Sequence, residues 1–588
     1  MVVINSLYPQ VIKTCRPLIV EDEVLKALTR KIGDAIAKSL TKEEDSHTTV
    51  RCNLTHVTDF PDGTGRCQKT RPSVRSLLGV CFMVGRTEAD GHHVGLVPVD
   101  ALPGWRTTVL LSQNLRSQKG SFIGLDFAGR IFRLVYVALR GDRSYATTSR
   151  LYEFPDQKPY GGLVRTGDYV AKCVNNFLDS FGIYDRKTIL GVSSTFPMKQ
   201  ETLQDGTIVN WNNEFADNEN SGDFFTQLKV SLKKYKVGNT RGYENTKRIY
   251  LISMVRSSTA SLISGLYRDP LLRIGVHLGD NINITYIEKY KNMTAYTGDG
   301  LRTRTAIDVD VQSFGDDGAL DFIRTEFDFQ IDSASKNPGK FLMEKLTSAL
   351  YLGEIARLCL YKLASTGAIL NGYASPALST NGSLKTVDLA LMEMQVDSDE
   401  EKKFTRCRAV MYNLGYSKVS DSDCIQIRFV ARCVARRSSN LVAACLTAMI
   451  HRMESRDVRI IGDGLLLKDF PNYEYYLYQI SKGEKEDIGA GAGLVAHIYK
   501  DGYIKLEDKH RALPPFNALK YQLQELPASC TDCNEPKKSS ASERSFRLGS
   551  LTADSTTTAE SFIASISSRQ RELCDQESIL RTIDYVQQ

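Results

Sequence analysis

Residues 252–270 read ISMVRSSTASLISGLYRDP. An apolar run, Ile249 to Val255, leads into Arg256-Ser257-Ser258-Thr259-Ala260-Ser261, which reads as a turn, and a helical run begins at Leu262. A strand-to-helix turn is where α/β proteins usually place their chemistry. This one offers four hydroxyls and an arginine but no carboxylate, so it is either active in an unusual way or has lost its catalyst. Elsewhere the reactive residue types form no constellation. Cys530 and Cys533 make a single Cys-x-x-Cys without the second pair that zinc requires. The segment PKKSSASERSFR places Arg near Ser, a pattern suited to basophilic kinases, with a flexible tail as the plainer reading.

The chain has 588 residues, room for about two to four domains. Its 42% hydrophobic and 24% charged residues are ordinary for a globular protein. A net charge of +6 without a dense basic stripe argues against direct nucleic-acid binding. Thirteen cysteines lie singly in apolar segments, the usage of a reduced, intracellular chain of the cytoplasm or nucleus. The N-terminus lacks a signal-peptide core, and no run of 18 apolar residues predicts a membrane span. The Asn-x-Ser/Thr triplets at Asn53, Asn283, Asn292 and Asn381 therefore imply no glycosylation.

Periodicity predicts helices at 21–40, 167–180 and 222–236, and strands at 187–195 and 249–255. Residues 44–75 read as a polar loop. A strand–glycine turn–strand pattern at 120–140 recurs at 273–290, where IGLDFAG and IGVHLGD can be superposed; this suggests a duplicated core. After residue 317 the chain turns helix-rich, at 319–334, 338–365, 386–394, 402–414, 423–437 and 438–453. RIIGDGLLLKDFP reads as strand and turn, and GAGAGLVAHIYK as a glycine turn entering a helix. From about 510 the Ser/Thr-rich composition predicts disorder.

Several ordered motifs between about residues 20 and 500 resemble the eukaryotic hexokinases. SFIGLDFAGRIFRLVYV resembles that family's first phosphate turn, LDLGGTNFRV. GVSSTFPMKQETLQDGTIVNWNNEF resembles its sugar signature, and FGDDGALDFIRTEFDFQID…NPGKFLMEKLTSALYLGEIARL matches almost residue by residue. IGDGLLLKDFP resembles the adenosine-side motif VGVDGSLYK. The resemblance implies an α/β, actin-like (ribonuclease H-like) duplicated fold, with small and large domains around a cleft. The expected boundaries are 20–255 for the small domain with its N-terminal helix, 256–509 for the large domain, and 510–588 for a mostly disordered tail.

Against that pattern the chemistry is eroded. The family's catalytic Asp, in Val-Asn-Asp-Thr-Val-Gly-Thr, falls on Ser257, and the Asn before it on Arg256. A neutral serine cannot accept the acceptor hydroxyl's proton near pH 7, and losing a positioned base costs roughly 10²–10⁴-fold. Sugar-contact positions fall on Thr195, Asn212, Asn213, Asn283, Asp310 and Glu344. The first phosphate turn keeps Asp126, Gly129 and Arg133 but carries Ala128, Arg130 and Ile131. The second, expected as Gly-Thr-Gly-Thr-Asn, reads Gly279-Asp280-Asn281-Ile282-Asn283, and Arg130 is complementary in charge to Asp280. On the nucleotide side Asp463, Gly464 and Gly489 remain, with ordinary structural glycines the equal alternative.

The resemblance thus points to the atypical fungal hexokinases, implicated in nutrient sensing and control of secreted proteases. The expectation is a protein lacking sugar kinase activity that regulates through an unknown protein partner, with glucose as the candidate ligand and no metal site. The alternatives are an active hexose kinase using Mg-ATP, with Asp310, Glu344 or Asp280 as base, and a nuclear interaction protein that binds neither ligand.

Overall fold

The computed structural model describes residues 8–41, 49–58, 109–110, 119–128, 131–140, 145–154, 163–182, 188–200, 206–208, 224–234, 249–269, 271–296, 304–394, 404–454, 458–477 and 499–500. The elements below belong to the unit Thr14–His510. In chain order the strands are β1 (Arg51–Thr58), β2 (Val109–Leu110), β3 (Lys119–Ala128), β4 (Ile131–Arg140), β5 (Tyr145–Glu153), β6 (Thr188–Ser194), β7 (Met198–Lys199), β8 (Thr207–Ile208), β9 (Ile249–Arg256), β10 (Leu272–Leu278), β11 (Ile282–Lys289), β12 (Arg304–Asp310), β13 (Arg459–Asp463) and β14 (Tyr499–Lys500). The helices that matter here are α1 (Asp22–Ser39), α2 (Leu163–Ser180), α3 (Phe224–Leu232), α4 (Ser257–Arg268), α5 (Leu342–Thr347), α6 (Ala349–Ser365) and α7 (Asp421–Met453).

Two mixed sheets repeat one topology. The first runs β5-β4-β3-β6-β9, an antiparallel meander extended by two parallel strands. The second runs β14-β13-β10-β11-β12-β1-β2, in which β10, β11 and β12 form the same meander and β13 and β14 the same parallel extension. The superposable glycine hairpins are β3–β4 and β10–β11, the first hairpin of each sheet. The duplication expected from IGLDFAG and IGVHLGD is therefore present in the strand order.

Four sequence expectations need correction. The segment 44–75 is not all loop: Arg51–Thr58 is a strand paired antiparallel with β12. Tyr499–Lys500, expected in a helix, pairs with β13 as a strand. Arg256–Ser261 is not a turn. Strand β9 runs through Arg256, and α4 starts at Ser257 with Arg256 as its N-cap. The helices expected at 423–437 and 438–453 form a single helix, α7, of 33 residues.

Helix α4 lies between the two sheets. Its Ala260, Leu262, Ile263 and Leu266 share one buried cluster with Phe122 and Val137 of the first sheet and Leu272, Ile287, Ala306 and Ile461 of the second. Each fully buried aliphatic side chain there contributes about 1.5–3 kcal/mol. A separate aromatic core, with Phe127, Phe132, Phe154, Phe177, Phe196, Phe224 and Phe225, fills the space between the first sheet, α2 and α3. The helix can approach β10 only because residue 275 is glycine: a Cβ there would stand 2.2 Å from the Ser258 carbonyl oxygen and 2.8 Å from Leu262 Cβ. Gly275→Ala should therefore lower stability by about 1–3 kcal/mol, as overpacking does, measured by urea unfolding. An unchanged midpoint would show that α4 is not seated this tightly.

Candidate functional site

The first turn of α4 sits where the sheets meet, and its hydroxyls divide in two directions. Ser258 and Thr259 turn inward, with Oγ and Oγ1 at 2.7 and 2.8 Å from Thr285 Oγ1. Ser257 Oγ is buried and has no hydrogen-bond partner among the described residues. The helix start is held by Asn283, whose Oδ1 accepts from the Ser258 N–H at 3.0 Å. The same side chain donates from Nδ2 to the Thr195 carbonyl at 3.4 Å and so bridges the two sheets. Thr195, Asn283 and Ser257, three positions singled out in the sequence, are brought together here.

Arg256 is 3% exposed, yet its Nε and both terminal nitrogens lack hydrogen-bond partners among the described residues. Its nearest counter-charge is Asp308, with Oδ2 3.5 Å from one terminal nitrogen. Asp308 Oδ1 and Asp310 Oδ1 are likewise buried and unpartnered. Burial pushes the Asp308 carboxyl up to about 6, against the pull of Arg256, with Asp310 adding to the rise and Thr285 opposing it. Burial also raises Asp310, opposed by Arg256 and Arg51. Asp308 was not singled out in the sequence. It stands two residues before Asp310, at the Asn of the family's Asn-Thr-Glu-Trp-Gly motif, so simple counting would have found it. Glu344, on α5, is 1% exposed and accepts from Asn281 Nδ2 at 3.2 Å. Asp310 and Glu344, both named as substitute bases, are thus enclosed with the second glycine turn.

On the phosphate side, Asp126 faces Arg133 directly across the β3–β4 pair. Its Oδ2 lies 3.1 Å from the Arg133 guanidinium, and its Oδ1 accepts from Ser193 Oγ at 2.9 Å. Asp463 is paired with Lys468 and also accepts from the Gly464 N–H at 2.7 Å. Burial pushes Asp463 up, but Lys468, His277 and Arg133 outweigh it and hold the carboxyl at about 2. Gly464 is required structurally: its φ is +105°, and a Cβ would stand 2.3 Å from the Leu278 carbonyl oxygen. Its persistence needs no nucleotide. Asp280, beside Gly279, is exposed in a recess crowded enough to raise its carboxyl by desolvation, with His277 opposing.

His277 is a residue the sequence reading passed over. It pairs with Asp463 on β13 and Asn283 on β11, and its Nδ1 has no hydrogen-bond partner among the described residues. Burial lowers its pKa, opposed by Asp463, Asp126 and Asp280. Asn212, Asn213, Gly129, Arg130 and Gly489 lie outside the described residues. The expected Arg130–Asp280 pair lies outside them with Arg130.

The elevated Asp308 carboxyl makes stability pH-dependent in an uncommon direction. Between about pH 4 and 6 the unfolded chain has released this proton and the folded one keeps it, so the contribution of Asp308 to stability falls as pH rises. The full effect is on the order of 3 kcal/mol. Unfolding free energies of wild type and Asp308→Asn, compared at pH 4.5 and 6.5, should show wild type relatively more stable at the lower pH. A pH-independent difference would mean that Asp308 is not held in a desolvated site.

Two family models described as hexokinase match residues 102–267 and 273–504. Mouse hexokinase HKDC1 is 33% identical over 373 residues, covering 62% of this chain and 39% of that protein. Human hexokinase-1 is 32% identical over 413 residues, covering 68% of this chain and 43% of that protein. The chain thus spans about two fifths of the length of these relatives. Among solved structures, the hexokinase of Schistosoma mansoni complexed with glucose superposes with a TM-score of 0.64 at 22% identity, over 82% of this chain and 93% of that one. A second hexokinase structure gives 0.57 at 18% identity, over 82% of this chain and 94% of that one. The fold is that of the actin-like sugar kinases.

Proposed function

The chain is a divergent member of the hexokinase family, and from that premise we propose that its cleft performs no sugar phosphorylation and serves as a ligand-responsive regulator of a protein partner. One observation carries this reading. The side chain at the expected base is Ser257, a neutral hydroxyl, and the arginine before it is buried beside Asp308, with Asp310 in its electrostatic field. Phosphoryl transfer depends on positioning and on a group that takes the acceptor's proton. Glu344 is tied to Asn281, and we take Asp308 and Asp310, which lie in the field of Arg256, to hold hydroxyls rather than to take the transferred proton.

The residues also fit Mg-ATP poorly. Asp280 puts a carboxyl on the second phosphate turn, where a polyphosphate would meet like charge. Asp126 and Asp463 are already satisfied by Arg133, Ser193 and Lys468. A two-domain clamp of this kind can still regulate, because a ligand shifts it by its differential affinity for open and closed forms. The partner, an intracellular site of action and a link to carbon response or protease control are parts of this proposal that rest on the resemblance alone.

The test is a coupled assay for ATP-dependent phosphorylation of glucose, fructose and mannose. Turnover of about 1–10³ s⁻¹ is ordinary for an enzyme; this chain should fall at least about 10²-fold below that range. Ser257→Asp alone should not restore activity, since Arg256 and Asp280 remain. Ordinary turnover by the wild type would end the proposal.

A further inference from the structure

The start of α4 has the makings of an anion site. Measured against the family motif, it has lost a negative charge at Ser257 and gained a positive one at Arg256. The helix has 12 residues, no acidic residue in its first turn and no cap from its own N-cap side chain; Asn283 takes the Ser258 N–H but brings no charge to the positive end of the dipole. Independently, the guanidinium beside it is 3% exposed with three nitrogens unpartnered among the described residues, and Ser257 Oγ beside it is unpartnered too. Leaving such donors unmatched is unfavourable, most of all for charged ones. The contact to Asp308, at 3.5 Å, does not meet that need as a hydrogen bond.

The same pocket has unmet acceptors. Asp308 Oδ1 and Asp310 Oδ1 are buried and can receive protons from hydroxyls. An occupant that satisfies both sets carries a planar anion at one end and hydroxyls along its body. We propose that the cleft binds a hexose-sized sugar acid, its carboxylate on Arg256 and the first turn of α4 and its hydroxyls on Asp308 and Asp310. The inference rests on reading the cleft as a non-transferring sensor, and it names the ligand class. A carboxylate suits the guanidinium fork through two parallel hydrogen bonds. A phosphate, with nearly twice the charge, meets Asp308 and Asp310 within reach of the same guanidinium. Since Arg256 is enclosed, entry requires the residues packed over it to part.

The experiment is calorimetric titration of the full chain at matched ionic strength with sodium D-glucuronate, D-glucose, D-glucose 6-phosphate and sodium acetate. Glucuronate should bind saturably, at least about tenfold more tightly than each of the others. Arg256→Met should weaken glucuronate at least about tenfold, and Arg256→Lys, which keeps the charge but not the fork, should weaken it less. Arg256→Asn should shift the preference toward glucose. Circular dichroism checks that each variant is folded, and Arg256→Lys carries the test if Arg256→Met is not. Equal or tighter binding of glucose, glucose 6-phosphate or acetate, no glucuronate binding, or a preference unaltered by these substitutions would overturn the inference. The phosphorylation assay is read separately, so a chain that binds glucuronate yet turns over glucose would sink the functional reading and leave this one standing.

Discussion

A guanidinium inside a protein must be matched, because it keeps its charge at any pH the fold survives. This chain shows both ways of treating one. Arg437, on α7, is 2% exposed and grips Asp328 with two bonds of 2.8 Å, while a third, of 2.9 Å, goes to the Ile323 carbonyl. Asp328 is in turn held by the N–H and hydroxyl of Thr325. Arg256 is buried to the same degree with, among the described residues, one loose ionic contact. The first arrangement is that of a structural tie. The second leaves donors unmet, and it lies at the start of α4, where the proposed function places the change in chemistry.

The architecture prevents the site from relaxing away. Helix α4 is packed from both sides by the two sheets, Gly275 brings it against β10, and Asn283 fixes its first N–H while reaching Thr195 on the opposite sheet. The chain therefore passes from β9 into α4 without a connecting turn, and Arg256 and Ser257 are placed where the sheets meet. Fold and site share one cause. The same burial that stabilises α4 desolvates the ionisable groups around its start and displaces the Asp308 and Asp310 carboxyls upward.

Much of this was legible from local pattern. The two glycine hairpins, α1, α2 and the apolar β9 follow the period of their side chains, and the motif order carried the family. What was missed depends on partners far along the chain. Residues 51–58 are polar, and they become a strand only because β12, some 250 residues later, offers an edge. Arg256–Ser261 has the composition of a turn, and it becomes helix because Asn283 supplies the cap that no residue of its own supplies. His277 reads as a stray polar residue in an apolar strand until Asp463 and Asn283 are found beside it. The importance of Asp308 likewise appears only when Arg256, distant in sequence, is found to be its counter-charge. Asn212, Asn213 and Arg130 carry expectations on which the described residues do not bear.

The central claim is that no carboxylate in this cleft takes the proton of a hydroxyl aligned for phosphoryl transfer. A crystal structure grown with glucose and a non-hydrolysable ATP analogue tests it most directly. The account predicts Arg256 still against Asp308, Ser257 as the side chain at the base position, and no sugar and nucleotide aligned for transfer. A closed cleft holding both, with any carboxylate oxygen within hydrogen-bond distance of the hydroxyl that faces the terminal phosphate, would contradict it.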